Sequence, residues 1–188
     1  MQNVRRRVGL VLLITCAFAS TLTPSAYGQR NVHAVLVATA NRKAAPVFHL
    51  ANSNGKRVQI SDFRGKVVLV NFWATECGGC VLEIPSFIEI HHAYADKGFT
   101  ALGISADIPY EGLKNEDEAW KRVRPFVRSN HVNYPIVMGN DAVIKSYGFA
   151  SYPATYLIDK SGRIAATYIG IVSKDDVEGN IKRLLAER

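Results

Sequence analysis

The chain has 188 residues, of which 48% are hydrophobic and 21% charged, with a formal net charge of +7. That size suits one globular domain with a full apolar core, and the composition excludes repeat, low-complexity and disordered classes. Three arginines and no acids fall within residues 1–28, so residues 29–188 carry only +4, an ordinary solvated surface that calls for no nucleic-acid partner.

The N-terminus follows the pattern of an export signal. Arg5, Arg6 and Arg7 precede a charge-free apolar run over residues 8–19, which is too short for a comfortable membrane span. Small residues follow, and Ala26-Tyr27-Gly28 offers a cleavage site before Gln29. The expected outcome is a signal peptide over residues 1–28 and a domain that works in the periplasm or an equivalent exported compartment. An uncleaved N-terminal anchor with the arginines inside gives the same address and would be the chain's contact with the membrane. So would a lipid on Cys16, although Thr15 stands where such a signal usually has Gly or Ala. Beyond the signal only Cys77 and Cys80 remain, and two cysteines so close together do not staple distant segments into a disulfide scaffold.

Residues 29–45 show no clear period and read as a poorly packed lead-in to a domain over residues 46–188. Residues 46–50 and 57–60 read as two short strands around the Asn54-Gly55 turn. Residues 67–72 form an apolar run broken only by Asn71, as expected of a strand buried on both faces of a parallel sheet. Val81, Ile84, Phe87, Ile88 and His91 then recur at helical spacing until Gly98. A second buried strand is expected over residues 99–105. A charged helix follows over 111–130, with Trp120, Val123 and Val127 on one stripe, then a short strand over 134–138 and a short helix over 142–147. Residues 154–158 and 163–169 make a hairpin across Asp159-Lys160-Ser161-Gly162, and an amphipathic helix over 174–186 ends the domain. Strands alternating with helices, then a hairpin and a helix, predict an α/β fold: a central mixed β-sheet flanked by helices, with an N-terminal β-hairpin extension.

The chemistry concentrates at Cys77-Gly78-Gly79-Cys80, where the first buried strand ends and a helix begins. Cysteines at this spacing can close a disulfide on each other and reopen it by exchange with another disulfide. A sulfur at a helix N-terminus meets free N–H groups and the positive end of the dipole, which favour the thiolate and make Cys77 the candidate nucleophile. Cys80, one turn on, is placed to attack the resulting mixed disulfide, and is expected to be the more buried and less acidic thiol. Glu83 lies nearly one further turn on, where its carboxylate can face the dithiol as a proton carrier or face water as an ordinary surface acid. His91 and His92 are adjacent, point to different sides and read as surface or rim residues.

The run from Val68 through Asn71-Phe72-Trp73-Ala74-Thr75-Glu76 to the dithiol, with Glu83 and Pro85 after it, resembles the active-site segment of thioredoxin-fold proteins. Within them it is similar to the TlpA/ResA-type exported thiol-disulfide oxidoreductases. Ser151-Tyr152-Pro153-Ala154-Thr155 and the Asp159-Lys160-Ser161-Gly162 hairpin resemble the group's second signature, and the likeness covers roughly residues 45–188. It implies a thioredoxin fold, a redox-active Cys77-Cys80 couple, and Pro153 as a cis-proline facing it. Tyr152 would offer its backbone to a bound substrate strand. Asn71 stands where cytosolic thioredoxins carry a buried aspartate, which shifts proton transfer toward Glu83. Trp73 and Glu76 complete the candidate partner-contacting set, although Trp73 reads equally as core. The implied activity is reduction of disulfides in other exported proteins, with apocytochrome c before haem attachment as one candidate substrate. A membrane thiol electron donor is implied, and no cofactor or metal.

Two positions depart from that pattern. Glu76 replaces a Trp directly before the nucleophile, and its carboxylate disfavours the Cys77 thiolate; Gly79 replaces a common Pro and loosens the loop. Other readings of the dithiol remain. A copper- or metal-binding thioredoxin-like module would need more ligands than two thiolates. A thiol peroxidase would need Thr or Ser at position 74 and Pro at position 70, where Ala74 and Val70 stand. A redox-inactive scaffold is the last.

Overall fold

The computed structural model describes residues 31–187, so the expected signal peptide, with Cys16, lies outside the described residues. A small antiparallel hairpin comes first, β1 (Leu50–Ala51) and β2 (Arg57–Val58), turned at Asn54-Gly55 where Gly55 takes φ +75°. It is shorter than the sequence predicts. From Ile60 the chain winds into a 3-10 turn, because Gln59 and Asp62 cap each other reciprocally and compete with strand pairing.

The main sheet has five strands: β3 (Val67–Trp73), β4 (Phe99–Ser105), β5 (Ile136–Met138), β6 (Ala154–Ile158) and β7 (Ile164–Ile169), in the order β5-β4-β3-β6-β7. β3 pairs parallel with β4 and antiparallel with β6, so the sheet is mixed, as the sequence predicts. Every residue of β3 and β4 is buried, which explains why both read as largely apolar runs rather than alternating ones. Alternation is nonetheless present in three dimensions. Val67, Leu69 and Trp73 belong to one core layer, and Val68, Val70 and Phe72 to the other.

The first layer is covered by α1 (Gly78–Tyr94), α3 (Glu116–Ser129) and α5 (Lys174–Ala186), through residues such as Ile84, Phe87, Trp120, Val177 and Ile181. The second is covered by the hairpin and by α4 (Asp141–Tyr147), through Leu50, Val58, Val143 and Tyr147. α1 continues into a 3-10 turn, Ala95–Lys97, and stops at Gly98, whose φ of +87° few other residues adopt.

Two segments differ from expectation. The helix predicted over 111–130 begins later, because Asn115 caps α3 by accepting from the Glu118 N–H at 3.0 Å. Ahead of it lies a separate one-turn helix, α2 (Asp107–Glu111), ended by Gly112 at φ +67°. Residues 32–45, expected to be poorly packed, instead run beside β7. Val32 bridges to Val172 and Ala44 to Arg163, while Val32, Ala34 and Leu36 pack inward on the core. The alternation was hidden because the outward positions Val35 and Val37 are also apolar. Arg42 secures the far end of this segment. Its side chain is 2% exposed and bonds Asp159 at 3.2 Å and both oxygens of Glu187 at 2.6 and 2.7 Å. Among the described residues, no helix is long and apolar enough to cross a membrane.

Candidate active site

Cys77 and Cys80 are disulfide-bonded, with Cα atoms 5.2 Å apart. The chain leaves β3 at Trp73 and turns once, with the Cys77 N–H donating to the Ala74 carbonyl at 3.2 Å. That turn delivers Cys77 to the N-cap position of α1, where its sulfur accepts from the Cys80 N–H at 3.3 Å. The sulfur thus has the N–H donor and dipole end that the strand-to-helix placement predicts, both of which stabilise a thiolate. Cys80 is fully buried and Cys77 is 4% exposed.

Glu83 is buried, which removes the surface reading. Its Oε1 accepts from the Val172 N–H at 2.7 Å and its Oε2 from Asn71 Nδ2 at 3.4 Å. Burial pushes its pKa up to about 8, and those two hydrogen bonds only partly offset it. A carboxyl with that affinity exchanges protons with thiols near neutral pH, where a solvated glutamate would be fully ionised. Asn71 sits on β3 on the same side of the sheet and donates to Thr155 Oγ1 at 3.0 Å, while its own Oδ1 has no partner among the described residues.

The Tyr152-Pro153 bond is cis. Pro153 lies against the dithiol loop, since a Cβ built on Gly79 would stand 3.4 Å from Pro153 Cδ and 3.5 Å from Ile171 Cδ1. The Gly170 N–H donates to the Pro153 carbonyl at 2.8 Å, so the loop carrying Ile171 and Val172 joins Pro153, Gly79 and Glu83. Tyr152 is half-buried, packed edge-on against Tyr110 and Phe149, each at 5.1 Å between ring centres. Burial, with Asp141 and Tyr110 nearby, raises its hydroxyl pKa to about 12.

Of the other sequence-predicted residues, Glu76 is exposed beside Cys77. Trp73 is 1% exposed, packed at a tilt against Phe126 with 5.1 Å between ring centres. This corrects its expected place on a partner-contacting surface. The room comes from Gly103, where a Cβ would fall 2.9 Å from Trp73 Nε1. His92 is exposed, and His91 is half-buried between Phe99 and Tyr134, with burial and Lys66 lowering its pKa.

The residues that sequence reading missed lie on α2 and the end of β4. Asp107 is fully buried and accepts from Thr75 and Ser105, and Glu111 stands beside them, its pKa raised by burial and by Asp107. The available signal was an acid two residues after a buried strand, since sites gather at the carboxyl ends of parallel strands. A cavity of about 420 Å³ lies elsewhere, between Asn54, Trp120, Arg124 and Tyr134, and touches none of this chemistry. Among the described residues no three His, Cys, Asp or Glu side chains converge as a metal site.

The family model for AhpC/TSA matches residues 42–167. The chain is 31% identical over 143 residues to the thiol-disulfide oxidoreductase ResA of Bacillus thuringiensis subsp. konkukian, covering 76% of this chain and 77% of that one. Among solved structures it is similar to a secreted thiol-disulfide isomerase from Corynebacterium glutamicum, with a TM-score of 0.70 and 26% identity over 88% of this chain and 96% of that one. A thioredoxin-family thiol:disulfide interchange protein from Chlorobium tepidum gives 0.65 and 27%, over 79% of this chain and 100% of that one. With a dithiol at a helix N-terminus in a mixed sheet of this order, these likenesses show one thing: the chain belongs to the AhpC/TSA family and is a thioredoxin-fold thiol-disulfide oxidoreductase of the ResA kind.

Proposed function

We propose that this oxidoreductase works outside the cytoplasm as a reductant of disulfides in other exported proteins, with Cys77 as attacking thiol, Cys80 as resolving thiol and Glu83 as proton carrier. The Cys77 thiolate attacks one sulfur of the substrate disulfide, forming a mixed disulfide and releasing a substrate thiolate, which takes a proton. Cys80 gives its proton to Glu83 in its ionised form and attacks the Cys77 sulfur. The bond to the substrate breaks, the second substrate thiolate leaves and takes the proton back from Glu83, and the enzyme is left as the disulfide seen here. Two electrons and two protons have passed to the substrate. A membrane thiol donor would restore the dithiol, and apocytochrome c is one candidate substrate.

The observation that carries this reading is the buried Glu83 one turn beyond Cys80, with its pKa at about 8. The reducing direction is supported by the acids around the couple. Oxidants of this type owe their strength to a strongly stabilised thiolate; a carboxylate at Glu76, joined by Glu83 in its ionised fraction, acts against it, favouring the disulfide and making the dithiol the better donor. Substrate contact falls to the Tyr152 backbone beside Pro153 and to Glu76. Equilibrating the couple against a glutathione or dithiothreitol series tests the proposal. A potential well below the glutathione couple is expected, and one well above it overturns the reductase reading.

A further inference from the structure

We propose that Asp107 is a positioning residue for Cys77, acting through Thr75. The inference rests on the reading of Cys77 as the attacking thiol. Cys77 reaches its N-cap position through a single turn whose central residues are Thr75 and Glu76, closed by the Cys77 N–H to the Ala74 carbonyl at 3.2 Å. Glu76 is exposed, so Thr75 is the inward tie of that turn. Asp107 takes it twice: Oδ1 accepts from the Thr75 N–H at 3.1 Å and from its hydroxyl at 2.5 Å. Its Oδ2 accepts from the Ser105 hydroxyl at 2.7 Å, at the end of β4. The Trp73 carbonyl accepts from the Ala106 N–H at 2.7 Å, so both the entry and the middle of the turn are fastened to one short stretch.

Asp107 and Ser105 are fully buried, and a carboxylate accepting three hydrogen bonds away from water holds its partners far more stiffly than a solvated turn would. The 3.3 Å contact from the Cys80 N–H to the Cys77 sulfur depends on where that turn leaves the sulfur. Glu111, on the same helix, places Oε1 3.1 Å from the Thr75 hydroxyl oxygen and pairs with Arg122, closing the tie from the other side. Tyr110 between them packs on Tyr152, next to Pro153. α2 therefore braces both the turn that carries the nucleophile and the loop that faces it.

Position and charge predict opposite signs. The negative charge of Asp107 opposes a Cys77 thiolate, so if charge were its contribution, removing it would make Cys77 more reactive. If position is what it supplies, removing it makes Cys77 less reactive, and a neutral residue of the same shape restores the rate. The test uses a Cys80→Ser background, in which Cys77 stops at the mixed disulfide after attacking oxidised glutathione and releasing one glutathione thiolate. Rates of that step and of Cys77 alkylation by iodoacetamide are followed against pH, with urea unfolding as a control. Asp107→Ala is expected to slow both by about tenfold and shift the alkylation profile to higher pH, with Thr75→Val slower to a smaller degree. Asp107→Asn and Thr75→Ser should recover most of the loss, and Asp107→Ala with Thr75→Val together should be no slower than Asp107→Ala alone. Wild-type profiles in all four single variants, with only unfolding midpoints lowered, would make Asp107 purely structural and overturn the proposal. Faster alkylation in Asp107→Asn and Asp107→Ala alike would overturn it in favour of charge. The underlying reading has a separate control: if Cys77→Ser is glutathionylated as fast as Cys80→Ser, Cys77 is not the attacking thiol, whatever Asp107 does.

Discussion

Replacing Glu83 by Gln should make the oxidised protein more stable than wild type above pH 8, and leave the two alike near pH 5. The sign follows from linkage. A carboxyl whose pKa rises from 4.5 in the unfolded chain to about 8 in the folded one keeps its proton in the native state over that interval and loses it in the unfolded state. Wild-type stability from this group is therefore complete below the unfolded value and declines as pH rises through the folded one. The slope is about 1.4 kcal/mol per pH unit, so the loss approaches about 5 kcal/mol once the buried carboxylate is fully ionised. A Gln side chain imitates the protonated acid at every pH. Its carbonyl can accept from the Val172 N–H as Oε1 does, and its amide then faces Asn71. Turning the Asn71 amide over brings its partnerless Oδ1 round to accept from that amide. Urea unfolding at intervals from pH 5 to pH 9, with the disulfide intact, reads the difference directly. At about 2–4 °C per kcal/mol for a chain of this size, the variant should melt roughly 10 °C or more above wild type at pH 9. Parallel stability profiles for the two proteins, or a variant less stable at pH 9, would refute the argument that Glu83 is held as a buried acid.

Cys80→Ser should trap a mixed disulfide with substrate while Cys77→Ser does not, as non-reducing electrophoresis and mass spectrometry would show; the opposite pattern would exchange the two roles. Gly79→Ala adds a methyl in ordinary contact with Pro153 and Ile171, at 3.4 and 3.5 Å, so a stability gain of about 0.5–1 kcal/mol is expected, read as a melting temperature higher by a few degrees. Arg42→Ala leaves the buried Asp159 without one partner and frees Glu187, and should cost about 3 kcal/mol in urea unfolding. Asp159 is held below its ordinary pKa despite burial, by the Arg163 backbone and by Arg42, and Glu187 chiefly by Arg42. Their stabilisation is present above the unfolded carboxylate pKa and lost as pH falls through the folded values. The deficit of Arg42→Ala should therefore shrink in acid, and a deficit constant down to pH 2 would contradict the pairing.

Much of this molecule was legible in one dimension because its signals are local. β3 and β4 announce themselves as apolar runs, since strands covered on both faces have no polar side to show. The dithiol, its place at a helix start and the spacing to Glu83 are properties of a dozen consecutive residues. The lead-in hides its pattern because the outward positions Val35 and Val37 are apolar like the inward Ala34 and Leu36, which erases the period on which a sequence reading depends.

By itself, then, the sequence determined the order of the main strands and of every helix but α2, the redox couple, and which sulfur meets the helix N-terminus. Only the tertiary structure decided what surrounds that couple. Whether Glu83 faces water or a buried amide depends on the loop at Val172, far along the chain, and its proton affinity follows from that burial. Whether Trp73 meets a partner or the core depends on the space above Gly103, on the neighbouring strand. The tie from Asp107 to Thr75 crosses from the end of one strand to the end of the next. Local pattern sets each element because backbone geometry repeats over a few residues. Dielectric environment and hydrogen-bond partners belong to segments brought together only by folding, so the chemistry of the dithiol was written in the tertiary structure.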